Sequence, residues 1–487
     1  MLPLANPNAG QLIAAARKAQ KAGNLQHAEM LYRRTLAVAP THADVLFQLG
    51  QILSLRNRPV EALEFLEKAD KHAPDTPVIL SARARVMALL GRFDEAAKLM
   101  ERVVARNPDD DHAWSEKGLL HQQAGAFDAA EAAMRKAISL NPTCGAHYRS
   151  LVGGKRINAD DPLIAEMEAL YLGKTLPPVD QADLGFALAK AHEDSGAYEK
   201  VFPYLDAANL HFAKTYPFNL EKRAEDMALL QRLADGLGDV PRSEGGKTTP
   251  IFIIGLPRSG TTLVERIIGA HSAVSTASEA GIAARVIFDL LGQSGEMRPA
   301  GNVTEEGWRG AGAIYEKRLL NRANLSTAFV TDKSIQTFMV MGYLAKALPQ
   351  ARFVLVRRDP RDTAVSIYKN AFAPGTHRYA TDLKTLAGYM RLYEDMVAFW
   401  RPLMQGRMHD LHYEELVRSP EAVIRPLLTA VGLPWEDRVL EFHKDSGAVN
   451  TLSLHQVRQP LNTGSVGIWK RYADGMQPFL KAWDSSA

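Results

Sequence analysis

The chain has 487 residues, 46% hydrophobic and 23% charged, with a formal net charge of +3. That length exceeds one ordinary core and leaves room for roughly three domains. The charge, close to neutral for this size, excludes a protein that binds nucleic acid through bulk positive potential, so any anion site has to be local.

The first ten residues lack the basic start and apolar run of a secretory signal, and no run of eighteen or more apolar residues occurs. Neither export nor a membrane span is expected. The single cysteine, Cys144, cannot form an internal disulfide and fits a reducing, cytoplasmic setting. The Asn-X-Ser/Thr triplets at Asn302 and Asn324 then read as chance.

Prolines recur at Pro40, Pro74, Pro108 and Pro142, each 34 residues after the last. In the same register stand the small residues Ala16, Gly50, Ala84 and Gly118 and the alanines Ala28, Ala62, Ala96 and Ala130. Large residues keep phase at Leu12, Leu46, Leu80 and Trp114, then at Tyr32, Leu66, Met100 and Met134. Gly23, Asn57, Gly91 and Gly125 fall at the intervening turns. Small residues let paired helices cross closely, large ones fill the gap, and proline stops the second helix. The segment resembles the tetratricopeptide repeat, in four units from about residue 9 to 144. Such an array is a partner-binding or architectural solenoid without chemistry of its own.

From residue 145 to 246 the pattern stays helical but loses its strict period. Leu184 to Lys200, with Gly196, reads as a degenerate fifth unit in a cap or bridge. The polar run from Arg242 to Thr249 marks the boundary of a third domain, 247–487.

That domain opens on the apolar run Pro250–Gly255, then Leu-Pro-Arg-Ser-Gly-Thr-Thr to Thr262, then a helical pattern. Strand, glycine loop and helix is the layout that holds phosphate on backbone N–H groups. Gly260 allows close approach, and Ser259, Thr261 and Thr262 add hydroxyl donors. Thr261 stands where a nucleotide-triphosphate loop carries its lysine. The charge comes instead from Arg258, which suits a donor with one 5′-phosphosulfate. A bare strand-to-helix turn is the minor alternative.

A second strand, Arg352 to Arg358, ends in charge and runs into Asp359-Pro360, an N-cap and first-turn proline. Arg358 and Ser366 could clamp a further phosphate; taken alone, Arg358 would read as a salt bridge to Asp362 or Glu415.

With both segments in view, residues 249–484 resemble the sulfotransferases that use 3′-phosphoadenosine-5′-phosphosulfate (PAPS), nearest in motif to tyrosylprotein sulfotransferases and to bacterial enzymes fused to tetratricopeptide repeats. The resemblance implies an α/β P-loop-like fold with a parallel sheet, behind the all-α repeat solenoid. It makes Pro257–Thr262 the 5′-phosphosulfate loop, and Arg358, Asp359, Arg361 and Ser366 the 3′-phosphate element. It places a general base at Glu279, leaving-group contacts at Lys333, Arg258 and Ser453, and a tyrosine near the nucleotide at Tyr413. The Arg-Lys pair of the small-molecule enzymes is missing before Gly464, and Lys470 and Arg471 are the nearby cations.

Sulfonate transfer is an in-line displacement that asks for no metal. The base needs a partly buried carboxylate, and Lys333 and Arg258 act as fixed charges on the leaving phosphate. Without the family spacing, Glu279 is a loop carboxylate, Lys333 a solvated lysine and Ser453 an ordinary loop serine. His271 reads as a packing histidine, and Glu265 as the partner of a nearby arginine. The acceptor is a hydroxyl, with a phenol in a peptide or protein held by the repeats as one option; a homodimer is left open. Two competing readings are a P-loop kinase or nucleotide hydrolase and a repeat scaffold with a decayed catalytic domain.

Overall fold

In the repeats the residue before each proline is pushed out of helical geometry, and helices end there. The pairs are α1 (Ala9–Lys21) with α2 (Leu25–Val38), α3 (Ala43–Leu55) with α4 (Pro59–His72), α5 (Pro77–Leu89) with α6 (Phe93–Arg106), and α7 (Asp111–Ala124) with α8 (Phe127–Leu140). The second helix of each pair stops at Ala39, Ala73, Asn107 or Asn141, each in a non-helical conformation one residue before a proline. The alanines of the period and the large residues after them are buried. The small residues are obligatory at two crossings. A Cβ on Gly50 would lie 2.6 Å from Leu66 Cγ, and one on Gly118 2.7 Å from Met134 Cε. Gly23, Gly91 and Gly125 turn at positive φ.

These coordinates are a computed structural model that describes residues 8–56, 58–173, 176–238, 248–293, 296–323, 327–404, 406–444 and 461–485. Asn57, Asn324, the run 242–247 and Ser453 lie outside the described residues. Two compact units are present, one built on residues 1–142 and one on 143–320, 325–446 and 451–487. Among the described residues no helix is long and apolar enough to cross a membrane.

The second unit begins with α9 (Gly145–Gly153), α10 (Pro162–Leu172), α11 (Pro178–Ser195), α12 (Val201–Thr215) and α13 (Leu220–Leu233). α11 and α12 form a hairpin turned at Gly196, whose φ of 84° matches the turn glycines of the repeats. These helices share their unit and their core with the sheet: Phe186, Phe202, Leu205 and Met227 pack in one cluster with Phe252, Phe353 and Tyr368.

That sheet has five strands: β1 (Thr249–Ile254), β2 (Val274–Thr276), β3 (Phe329–Asp332), β4 (Arg352–Arg357) and β5 (Met408–His412). Their order is β2-β3-β1-β4-β5, all parallel. Alternate residues of β1 and β4 enter different cores: Phe252, Ile254, Phe353 and Leu355 on one face, Ile251, Ile253, Val354 and Val356 on the other. With both faces covered, polar chemistry is left to the strand ends. The carboxyl ends of β3, β1 and β4 lie side by side, where sheets of this kind bind ligands.

Candidate active site

The loop after β1 is tightly wound. A Cβ on Gly255 would fall 2.5 Å from Ser259 Oγ and 3.1 Å from the Val356 carbonyl, so only glycine fits. Gly260 has φ of 106°, and a Cβ there would strike the Tyr413 ring at 2.7 Å. Arg258 itself sits at φ 67°, an unusual conformation for a side-chain-bearing residue and one found at ligand clamps. The helix that follows, Thr261–Gly269, starts at Gly260, which has no side chain to cap the first N–H groups. Ser259 is buried and its Oγ has no hydrogen-bond partner among the described residues.

Two guanidinium groups meet at this loop. Arg358, past the end of β4, donates from Nη1 to the Arg258 carbonyl (2.8 Å) and from Nη2 to the Ser465 carbonyl (2.6 Å). Its guanidinium lies 4.8 Å from the centre of the Tyr413 ring. Arg258 donates from Nε to Ser366 Oγ (3.1 Å), joining the loop to the helix Pro360–Tyr368. Burial, with the charge of Arg358 added, pushes the Arg258 pKa down to about 10. Arg258, Ser259, Gly260, Ser366, Arg358 and Tyr413 are thus gathered in one place.

The alternative reading of Arg358 fails on geometry. Among the described residues it pairs with no carboxylate, and Asp362 is engaged elsewhere. The Asp362 carboxylate, almost fully buried, accepts the N–H groups of Gly467 (2.6 Å) and Trp469 (2.9 Å). Asp359 caps the helix through the Arg361 N–H (2.8 Å) and pairs with the Arg361 side chain, which stacks on Trp469 at 4.5 Å. Of the two C-terminal cations, Arg471 faces Tyr198 of the helical segment, with its guanidinium 5.3 Å from that ring.

At the end of β3, Lys333 is almost fully buried and its Nζ lies 2.8 Å from Glu279 Oε1. The Ser278 carbonyl receives the Lys333 N–H (2.9 Å), so the segment after β2 is fastened to the strand end. Sequence reasoning places Glu279 in a partly buried setting, but 51% of its side chain is exposed. The segment after β2 runs along the sheet edge and turns outward at Ser278, whose φ is 50°. Glu265 also departs from expectation: it accepts from Thr331 Oγ1 (3.1 Å), not from an arginine, and burial raises its pKa. Its position on the loop helix points it at the sheet, where among the described residues no arginine pairs with it. His271 has Nε2 3.1 Å from the Pro434 carbonyl and accepts the Ala273 N–H at Nδ1.

Sequence reasoning misses Asp362 as an anchor of the C-terminal segment, Glu193 and Lys369 of a partly buried pair described below, and Tyr315, whose hydroxyl supports Asp332 beside Lys333 (2.9 Å). Their partners lie from 17 to 279 residues away, and no local motif encodes such pairings.

A glycine-bearing strand-to-helix loop thus stands at the centre of a parallel sheet, with two arginine side chains converging on it. Residues 250–437 match the model of the Sulfotransferase family, and residues 19–86 and 83–143 match Tetratricopeptide repeat models. The chain carries tetratricopeptide repeats and a sulfotransferase-family domain, and its C-terminal region is homologous to protein-tyrosine sulfotransferases. An uncharacterized protein of Aquifex aeolicus is 31% identical over 341 residues, 66% of this chain and 44% of that protein. Protein-tyrosine sulfotransferase 1 of Danio rerio is 27% identical over 242 residues, 45% of this chain and 65% of that protein. The chain thus spans less than two thirds of the length of either relative. A solved structure of MamA is 20% identical over 39% of this chain and 94% of its own, with a TM-score of 0.29.

Proposed function

We propose that the chain is a sulfotransferase that moves the sulfonate of PAPS to an acceptor hydroxyl and releases 3′-phosphoadenosine-5′-phosphate. The observation that carries this reading is the meeting of Arg258 and Arg358 over a buried, unpartnered Ser259 hydroxyl and an uncapped helix start. Close like charges cost free energy unless an anion joins them. The residues fit a phosphosulfate, and the lysine that a nucleoside triphosphate would demand is replaced by Thr261.

In this reading Arg258, Ser259, Gly260, Thr261 and Thr262 hold the 5′ end of the donor, and Arg358 and Ser366 hold its 3′-phosphate beside Tyr413. The donor supplies an electrophilic sulfur whose bond to the bridging phosphate oxygen breaks as the acceptor oxygen binds it. Glu279 takes the acceptor proton; its exposed carboxylate can reach a hydroxyl arriving from solvent, and one of its oxygens has no protein partner among the described residues. Lys333, held at the β3 end, and Arg258 place positive charge where the leaving phosphate gains negative charge. Ser453 is assigned to the same leaving group by family resemblance alone. The chemistry asks for no metal. Homology to protein-tyrosine sulfotransferases favours a phenolic acceptor, and the repeats favour one carried on a peptide or protein.

Calorimetric titration of the full chain with 3′-phosphoadenosine-5′-phosphate, without metal, tests the donor. Binding that Arg358→Ala weakens by about 1.5–3 kcal/mol, the worth of a charge-assisted contact, supports it. Binding only of ATP with Mg²⁺ would favour the kinase reading instead.

A further inference from the structure

The helix Pro360–Tyr368, which carries Ser366, and the C-terminal segment Leu461–Ser485, whose Ser465 carbonyl receives Arg358, meet in one partly buried ion pair. Lys369, the C-cap of that helix, pairs with Glu193 near the end of α11. The same Glu193 oxygen accepts from Tyr472 Oη at 2.7 Å. One carboxylate of the helical segment therefore holds both walls of the proposed donor site from behind.

The surrounding contacts converge on the same elements. Tyr368 Oη donates to Asp206 (2.7 Å), and Asn209 Nδ2 donates to the Tyr368 carbonyl (3.0 Å), both from α12. Phe202 stacks against Tyr368 at 5.8 Å and packs with Tyr472 at 5.6 Å between ring centres. A Cβ on Gly475 would fall 2.3 Å from the Phe202 ring, so the C-terminal segment lies flat on α12. Burial lowers the Lys369 pKa against the pull of Glu193, and the charges of Arg258 and Lys190 act in the same direction as burial, which places Lys369 within electrostatic range of the phosphate loop.

We propose that Glu193, Lys369 and Tyr472 form a positioning unit through which the α11–α12 hairpin sets the 3′-phosphate side of the donor site. The hairpin is then part of the nucleotide site. None of the three side chains touches the reacting atoms; they act through Ser366 and through the segment that holds Arg358. This inference rests on the donor reading above.

The test compares binding of 3′-phosphoadenosine-5′-phosphate and adenosine 5′-phosphate to the full chain, since only the first carries the 3′-phosphate. Glu193→Gln combined with Lys369→Met removes one charge of each sign, and Tyr472→Phe is a milder second variant. The expected result is a preference for the 3′-phosphorylated nucleotide reduced about tenfold in the double variant, roughly one charge-assisted contact, and less in Tyr472→Phe. Adenosine 5′-phosphate affinity should stay the same. In a Ser366→Ala background the double variant should cost less, because part of the effect travels through that residue. Equal weakening of both nucleotides, or an unchanged preference in variants that melt like the wild type, would overturn the inference while leaving the donor reading standing. Failure of the wild type to bind the 3′-phosphorylated nucleotide at all would overturn both.

Discussion

Replacing Arg258 by methionine should stabilise the ligand-free protein while destroying its response to nucleotide. A guanidinium whose pKa is pushed down to about 10, below the ordinary arginine range, holds its charge in the folded state against burial and against Arg358. At about 1.4 kcal/mol per pH unit, that amounts to a cost of up to about 3 kcal/mol. The group is basic and its folded pKa is depressed, so the penalty is present in full below about pH 10. It fades as pH rises from there towards the ordinary arginine range, and near neutral pH all of it is felt. Methionine also forfeits the bond from Nε to Ser366, worth about 1 kcal/mol. Set against that bond alone, the burial penalty leaves a gain of up to about 2 kcal/mol, a rise of a few degrees in the unfolding temperature. At a nucleotide concentration about a hundredfold above Kd, the wild type should gain about 2.7 kcal/mol from 3′-phosphoadenosine-5′-phosphate, and the variant almost nothing. Thermal unfolding followed by circular dichroism, with and without nucleotide, reads both numbers. A ligand-free variant that melts below the wild type would show that the protein's own contacts with Arg258 outweigh the burial penalty, and would refute this reasoning.

Glu279→Gln should leave nucleotide affinity near that of the wild type and lower sulfonate transfer by about 10²–10⁴-fold, the usual worth of a general base; single-turnover assays separate the two. Gly260→Ala forces a Cβ against the Tyr413 ring at a positive φ and should weaken nucleotide binding, with partial recovery when Tyr413 is also replaced by alanine, as titration would show. Asp362→Ala removes the acceptor of two N–H groups, each such bond worth about 1.5–3 kcal/mol, and limited proteolysis should then cut between Leu461 and Tyr472 far faster than in the wild type. Gly50→Val should cost the repeat unit about 1–3 kcal/mol by overpacking Leu66, measured by chemical unfolding.

The repeats were legible because each pair reuses one local rule: a proline stop, a small crossing residue and a large one sixteen positions on, all visible in the 34-residue period. The phosphate loop was legible because its geometry is set within a few residues, and Gly255, Gly260 and the start of the helix lie where the spacing puts them. Glu279 and Lys333 are 54 residues apart, and only family spacing joins them; their ion pair appears once β2 and β3 are adjacent. Partners that lie across the fold stayed hidden. Asp362 looked like a partner for Arg358 because it is near in sequence, yet its carboxylate reaches Gly467 and Trp469, more than a hundred residues on. Glu265 looked like an arginine partner by helical spacing, but the sheet beneath the helix decides what it meets.

The most direct measurement of the central claim is transfer of labelled sulfur from PAPS, in a chelator, by the full chain offered tyrosine-containing peptides, with Glu279→Gln as control. The account predicts label on the tyrosine hydroxyl, release of 3′-phosphoadenosine-5′-phosphate, and a control that binds nucleotide without transferring. No transfer by a chain that also fails to bind the nucleotide, or turnover of ATP that depends on Mg²⁺, would contradict it.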